Sequence, residues 1–399
     1  MCAKYLFLLC LFLILVWIAE AAQPRLFDVR SYGAKGDDKT DNTVPFLKAW
    51  SDACKWNGPA TVFIATGTYI LRTVTFVGPC KGSINFQIEG VLKAPIDPNM
   101  LTSDQWIGFR YVNHLNVNGG GKLDGQGSRT RQLCQNHPNC KTLFTTMVFD
   151  FVTNSYVQNL QSIDSKGVHF ILFASENMTL THLTLSSPES SYNTDGIKIG
   201  SSQGINITRV KIGTGDDCVA LISGARKIHI SEVYCGPGHG ISVGSMGKND
   251  GEKDISDIVV KNCTFSGTSN GVRIKTWAVP LNTPLSASNF VYENIVMSNV
   301  QLPIVIDQQY CPHNQCNSQE SSRVQIRNVT YRNIRGSGST DVAVSLKCSK
   351  LKPCERIHLE DINLWGYGRI RRTLRNECAN VNGASYGKQI PQPCLPLVA

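Results

Sequence analysis

The chain has 399 residues, 17% charged and 42% hydrophobic, with 34 glycines and a formal net charge of +9. This balance excludes a disordered chain, and the surplus of cations suggests an acidic partner or else simply serves solubility. Length alone would allow two or three domains, but a repeat architecture would make it one.

Residues 1–22 read as a secretory signal peptide. Lys4 precedes an apolar run from Leu6 to Ile18, and Ala19-Glu20-Ala21 offers small residues for cleavage. The run is short for a membrane span. Residues 23–399 are then expected to form one secreted, extracellular domain. Nucleic acid is not an expected partner there, which leaves acidic cell-wall polysaccharide or an anionic membrane surface.

Secretion also governs the cysteines. Of 15, Cys2 and Cys10 fall in the signal, so an odd number remains. Short separations suggest Cys54 with Cys80, Cys134 with Cys140, Cys218 with Cys235, Cys311 with Cys316, Cys348 with Cys354 and Cys378 with Cys394. Cys263 is left free. No CxxC pair supports a zinc module. Four sequons, at Asn177, Asn206, Asn262 and Asn328, are candidate glycosylation sites.

The mature chain opens on FDVRSYGAKGDDKTDN. A strand-like start leads into a Gly/Asp loop, and Asp41 or Asn42 is placed to cap a helix. Val44, Phe46, Leu47, Trp50 and Ala53 would give that helix an apolar face, with Pro45 tolerated in its first turn. No other helix is expected.

The remainder is a series of short alternating strands broken by Gly, Asn and Ser. One set reads GVHFILF, DGIKIG, DCVALI, HGISVG, NGVRIK and LPIVID, and a second set follows with NMTLTHLTL, INITRVKI, KIHISEVYC, DIVVKNCTF and FVYENIVM. The pair recurs every 22 to 32 residues. Stacked units of this kind predict an all-β solenoid, a right-handed parallel β-helix with the N-terminal helix covering its first coil. A β-sandwich is the other all-β option, but hairpin dipeptides are rare, Asn270-Gly271 and Asn382-Gly383 being exceptions.

The repeat has a chemical consequence. Asp195, Asp217 and His239 are spaced by 22 residues each. One coil per spacing puts them on one face, about 4.8 Å apart. Asp216 adjoins Asp217, and Arg273 and Lys275 fall in the next coil. Paired carboxylates suit glycosidic hydrolysis, one protonating the leaving oxygen and another activating water. Crowding should raise the pKa of one of them and keep it protonated. Gly213 and Gly215 would let the chain bend so that both members of the Asp216-Asp217 doublet face one groove. Arg273 and Lys275 would hold an acidic sugar, or else form a solvated strand face. A calcium site built from the aspartates is opposed by His239 and the two cations.

NTDG (Asn193 to Gly196), GDDC (Gly215 to Cys218), GHG (Gly238 to Gly240) and RIK (Arg273 to Lys275), in this order, resemble the four motifs of the polygalacturonases. CGPGHGISVGSMGK and SNGVRIKTW look like the plant branch of that family. The resemblance runs through nearly the whole mature chain. It implies inverting hydrolysis of α-1,4-linked galacturonan in demethylated pectin, with no cofactor and no metal. It further implies Asp216 as general acid, Asp195 and Asp217 as activators of the water, and His239 as tuner of the acid. Arg273 and Lys275 would bind substrate carboxylate, Asn193 would line the cleft, and Tyr310 would contact substrate or else serve the core. Exo action from the non-reducing end is favoured over endo. The expected partner is polygalacturonate, met by a monomer in the cell wall, with no nucleic acid and no membrane. The alternatives are a calcium-dependent pectate lyase and a non-catalytic, allergen-like pectin binder.

Overall fold

A computed structural model describes residues 24–135, 140, 142–312, 320–368 and 372–398. Residues 1–22, expected to be a signal peptide, and Cys316 lie outside them. Among the described residues no helix is long and apolar enough to cross a membrane.

Every strand pairing in the structure is parallel, as a solenoid requires and a sandwich forbids. Among the described residues, eleven strands stack in one sheet and eighteen in a second hydrogen-bonded network. The chain climbs one coil at a time as a parallel β-helix. Six rungs of the smaller sheet matter for the site: β1 (Phe170–Phe173), β2 (Ile197–Gly200), β3 (Val219–Leu221), β4 (Ile241–Met246), β5 (Asn270–Trp277) and β6 (Leu302–Tyr310). Ile197 pairs with Val219 and Val219 with Ile241, two steps of 22 residues. Ile241 then pairs with Val272, a longer step.

Alternation explains the coil. In β2, Ile197 and Ile199 point inward and are fully buried, while Lys198 between them faces out. The same inward positions stack through Val219, Leu221, Ile241, Val243, Val272 and Ile274, so the interior is a continuous apolar column. Each such side chain contributes about 1.5–3 kcal/mol of burial. Near the N-terminus the column turns aromatic, with Phe76, Phe86 and Phe109 packed at ring distances of 4.9 to 5.3 Å.

That aromatic end is closed by helix α1 (Thr43–Lys55). Trp50 drops its ring on to Phe76 and Phe109, at 5.1 and 5.6 Å. Asp41 Oδ1 accepts the Thr43 amide at 3.0 Å, so Asp41 rather than Asn42 supplies the side-chain cap. The buried face is Phe46, Ala49, Trp50 and Ala53. Val44, expected on it, is 59% exposed, because it stands two residues and so roughly 200° of helix away from Phe46. Leu47 packs only partly against the core. A second helix, α2 (Gly127–Cys134), corrects the expectation of one helix only.

The disulfides Cys54–Cys80, Cys134–Cys140, Cys218–Cys235, Cys348–Cys354 and Cys378–Cys394 all form, and Cys263 is free and buried. Cys311 is disulfide-bonded as well. Asn177, Asn262 and Asn328 are exposed and left-handed in backbone, with φ of 53°, 55° and 57°. Asn206 is half-buried.

Candidate active site

The site lies where the chain enters β2, β3 and β4. Backbone bonds tie the three entries together: the Gly196 amide donates to Asp217 O at 2.9 Å, and the Cys218 amide to Gly240 O at 2.8 Å. Asp195, Asp217 and His239 are therefore in register, as their spacing predicts.

The doublet sits on a bend and not in a strand. Gly215 is required there, since an added Cβ would stand 1.9 Å from Ser191 O. The Gly215 amide donates to Thr194 Oγ1 at 2.9 Å, which pins this bend against the Asn193-Thr194-Asp195 turn. The Asp217 amide closes the bend on to Asp216 Oδ1 at 2.8 Å. Both carboxylates thus reach one place: atoms of Asp216, Asp217 and His239 lie within 4.8 Å of one another. The expected bend is present, and with it the convergence.

The three aspartates have different surroundings. Asp217 is nearly sealed, with 3% of its side chain exposed. Its Oδ1 accepts from Ser242 Oγ at 2.8 Å and from Arg273 Nη2 at 2.8 Å, and its Oδ2 accepts from Lys275 Nζ at 2.8 Å. Arg273 Nε also donates to Ser242 Oγ at 3.1 Å. Arg273 and Lys275 do share a side of β5, but both are engaged by Asp217 here. Such charge-assisted bonds fix the carboxylate plane.

Asp216 keeps a fifth of its side chain exposed and faces His239 Nδ1 at 3.1 Å. Burial alone would raise its pKa. The His239 hydrogen bond and charge, the Asp217 amide and the Lys275 charge outweigh burial and bring it down to about 2. His239 moves the other way, raised by its bond to Asp216 against the opposing effect of burial. Asp195 is buried with its Oδ2 3.2 Å from Lys198 Nζ. Burial is the main cause that raises its pKa to about 6; Lys198 opposes, and the Asp216 and Asp217 charges add to the rise. Crowding does lift one carboxylate, but that carboxylate is Asp195. The shifts within the Asp216–His239 pair run in opposite directions, away from a proton on Asp216 and towards one on His239.

The other expected residues frame this centre. Asn193 is exposed in a left-handed turn two residues before Asp195. Tyr310 ends β6 with its ring 5.5 Å from Lys275 Nζ and 5.5 Å from the Trp277 ring. Its half-buried hydroxyl is raised in pKa by that burial. Tyr310 therefore stands beside the site and outside the apolar column. Sequence reasoning missed Lys198 and Ser242. Each follows a motif residue by three, as Asp195 to Lys198 and His239 to Ser242, and that shared offset was the available signal.

The profile of glycosyl hydrolases family 28 matches residues 54–389. An exopolygalacturonase from Platanus acerifolia is 43% identical over 92% of this chain and 97% of its own length. A polygalacturonase from Gossypium barbadense is 43% identical over 96% of this chain and 94% of its own. Among solved structures, a polygalacturonase from Erwinia carotovora ssp. carotovora superposes with a TM-score of 0.71 at 21% identity, over 90% of this chain and 96% of that one.

Proposed function

This chain belongs to glycosyl hydrolases family 28 and is a glycoside hydrolase; from that premise we propose that it hydrolyses α-1,4-galacturonosyl linkages in polygalacturonan, with inversion and by exo action from the non-reducing end. The observation that carries the reading is the convergence of Asp216, Asp217 and His239, with Asp195 in register beside them, next to buried Lys275 and partly buried Arg273. Relatives called exopolygalacturonases favour the exo form.

Asp216 is the carboxylate most open to a leaving oxygen, with 20% of its side chain exposed against 6% for Asp195 and 3% for Asp217. His239 holds a proton on the bond to Asp216. As the glycosidic oxygen gains charge, Asp216 delivers that proton and His239 supplies it, so the pair acts as the general acid. Asp195, partnered by one ammonium, takes a proton from the attacking water. Asp217 orients that water and holds Arg273 and Lys275 at the groove, where their charge meets the substrate carboxylate. Asn193 and Tyr310 flank the sugar. The chain works as a secreted monomer in the cell wall.

Timed product analysis on polygalacturonate tests the reading. Galacturonate monomer is expected from the first time point, without ultraviolet-absorbing unsaturated product, and unchanged by chelator. Mixed oligomers at early times would replace exo with endo action. Unsaturated product abolished by chelator would replace hydrolysis with calcium-dependent elimination. No release of reducing ends despite pectin binding would make the chain a binder.

A further inference from the structure

Lys198 stands on β2 with its ammonium 3.2 Å from Asp195 Oδ2. Strand register sets it in an outward row in which Lys198 pairs with Ala220, Ala220 with Ser242, and Ser242 with Arg273. Outward side chains of successive rungs line up, so this row runs beside the carboxylates as a groove floor. Ala220 is too short to reach a ligand's charge, and Ser242 is spent on Asp217. Cations therefore flank Ala220 and Ser242 in the row, Lys198 on one side and Arg273 on the other, with Lys275 two residues along the strand from Arg273. Three rung spacings, about 14 Å, separate the two sides.

The two sides differ in what is left over. Arg273 and Lys275 have 15% and 9% of their side chains exposed, and both are bound to Asp217. Lys198 has 27% exposed, and among the described residues its ion-pair partner is Asp195 alone. An ammonium carries three donors and no acceptor. One contact to Asp195 leaves donors for the solvent-filled groove. Nothing in the four motifs assigns this residue a role.

We propose that Lys198 is a specificity-determining residue that binds a carboxylate of the acidic sugar on the N-terminal-coil side of the cleavage point. The carboxylate cluster is then bracketed by cations, and a charged sugar is read on each side of the scissile bond. This rests on the polygalacturonan reading above.

The test is made on the Asp195→Asn variant, which removes the intramolecular partner of Lys198 and the turnover of ligand together. Binding of trigalacturonate is measured by calorimetry in that parent, and again with Lys198→Met, Lys198→Gln or Lys198→Arg added. The parent is expected to bind. Lys198→Met and Lys198→Gln should each weaken binding about tenfold, or about 1.4 kcal/mol. Lys198→Arg should stay within about threefold of the parent, by its retained charge. The methyl-esterified trimer should lose no more than about twofold on Lys198→Met, since it lacks the charge that Lys198 pairs with. Equal affinity for trigalacturonate in the parent and in folded Lys198→Met or Lys198→Gln overturns the proposal. A parent that binds no trigalacturonate overturns the polygalacturonan reading itself, and this assignment with it.

Discussion

Asp217 and Lys275 form a buried ion pair at 2.8 Å, with 3% and 9% of their side chains exposed. Arg273 joins the same carboxylate from the same strand. The carboxylate is thus both a part of the reaction site and the counter-charge that lets two cations sit in a buried groove.

Substituting the two neighbours of the doublet should therefore separate chemistry from stability. Asp217→Asn leaves Arg273 and Lys275 without the carboxylate they are ion-paired to and is expected to cost about 3–5 kcal/mol, the usual penalty for breaking a buried pair. Asp216→Asn disturbs a half-open contact with His239 and should unfold close to the wild type. Both should reduce kcat on polygalacturonate by about 100-fold or more. Denaturant unfolding beside initial rates checks this. Equal stability losses would show that the Asp217 cluster does not hold the groove together.

The pH profile should be a narrow bell. Asp195 must be ionised to take a proton, and its pKa is raised to about 6, so kcat/KM falls as pH drops through that value. The His239–Asp216 pair must hold its proton, and His239 is raised above its ordinary value, so activity falls again as pH rises past it. His239→Gln should lower kcat/KM across the profile and remove the alkaline limb that His239 sets, leaving the acid limb in place. An acid limb at the ordinary aspartate value would contradict the assignment of Asp195 as base.

Asp195 should cost the fold something at neutral pH. A raised pKa means that the folded state prefers the protonated form; this preference is complete below the unfolded value and is lost as pH rises through about 6. The shift corresponds to about 3 kcal/mol at most. Asp195→Asn is expected to be inactive yet more stable than wild type at pH 8, by up to that amount. The gain should shrink below pH 6 and vanish near pH 4. Thermal unfolding across pH reads this directly, and a variant less stable at pH 8 would refute the account.

Cys263 should be silent in the native protein. It is buried, and burial pushes its thiol pKa up to about 12. In chain lacking residues 1–22, a thiol reagent should titrate no group natively and one after denaturation without reductant. Peptide mapping should recover Cys218–Cys235 intact. A second thiol on denaturation would mean that one of the bridges is not formed.

Much of this was legible in the chain because a solenoid turns linear spacing into position. Asp195, Asp217 and His239 could be placed together from their intervals, as each interval is one coil. The glycines around the doublet announced the bend. What stayed hidden depended on contacts between coils of unequal length. The grip of Lys275 and Arg273 on Asp217 crosses the longer step to β5, so no fixed interval reports it. The division of proton affinity between Asp195 and Asp216 follows from which of the two neighbours His239 and which is buried with one ammonium; adjacency in sequence says nothing of that. Helix α2 was missed because Gly-Ser-Arg-Thr-Arg-Gln-Leu-Cys has no apolar stripe to read.

The two equal steps from β2 to β4 leave no slack between Asp195 and His239. A single inserted residue there would slip the register and turn a catalytic side chain to the opposite face. The step to β5 is longer and carries its surplus in loop 247–254, beyond the end of β4. Loop 278–284 is a similar joint after β5. Descendants of this chain can grow or shrink at those joints without displacing a reacting atom. Variation in length should therefore gather there, where it alters the groove's rim and leaves its chemistry alone.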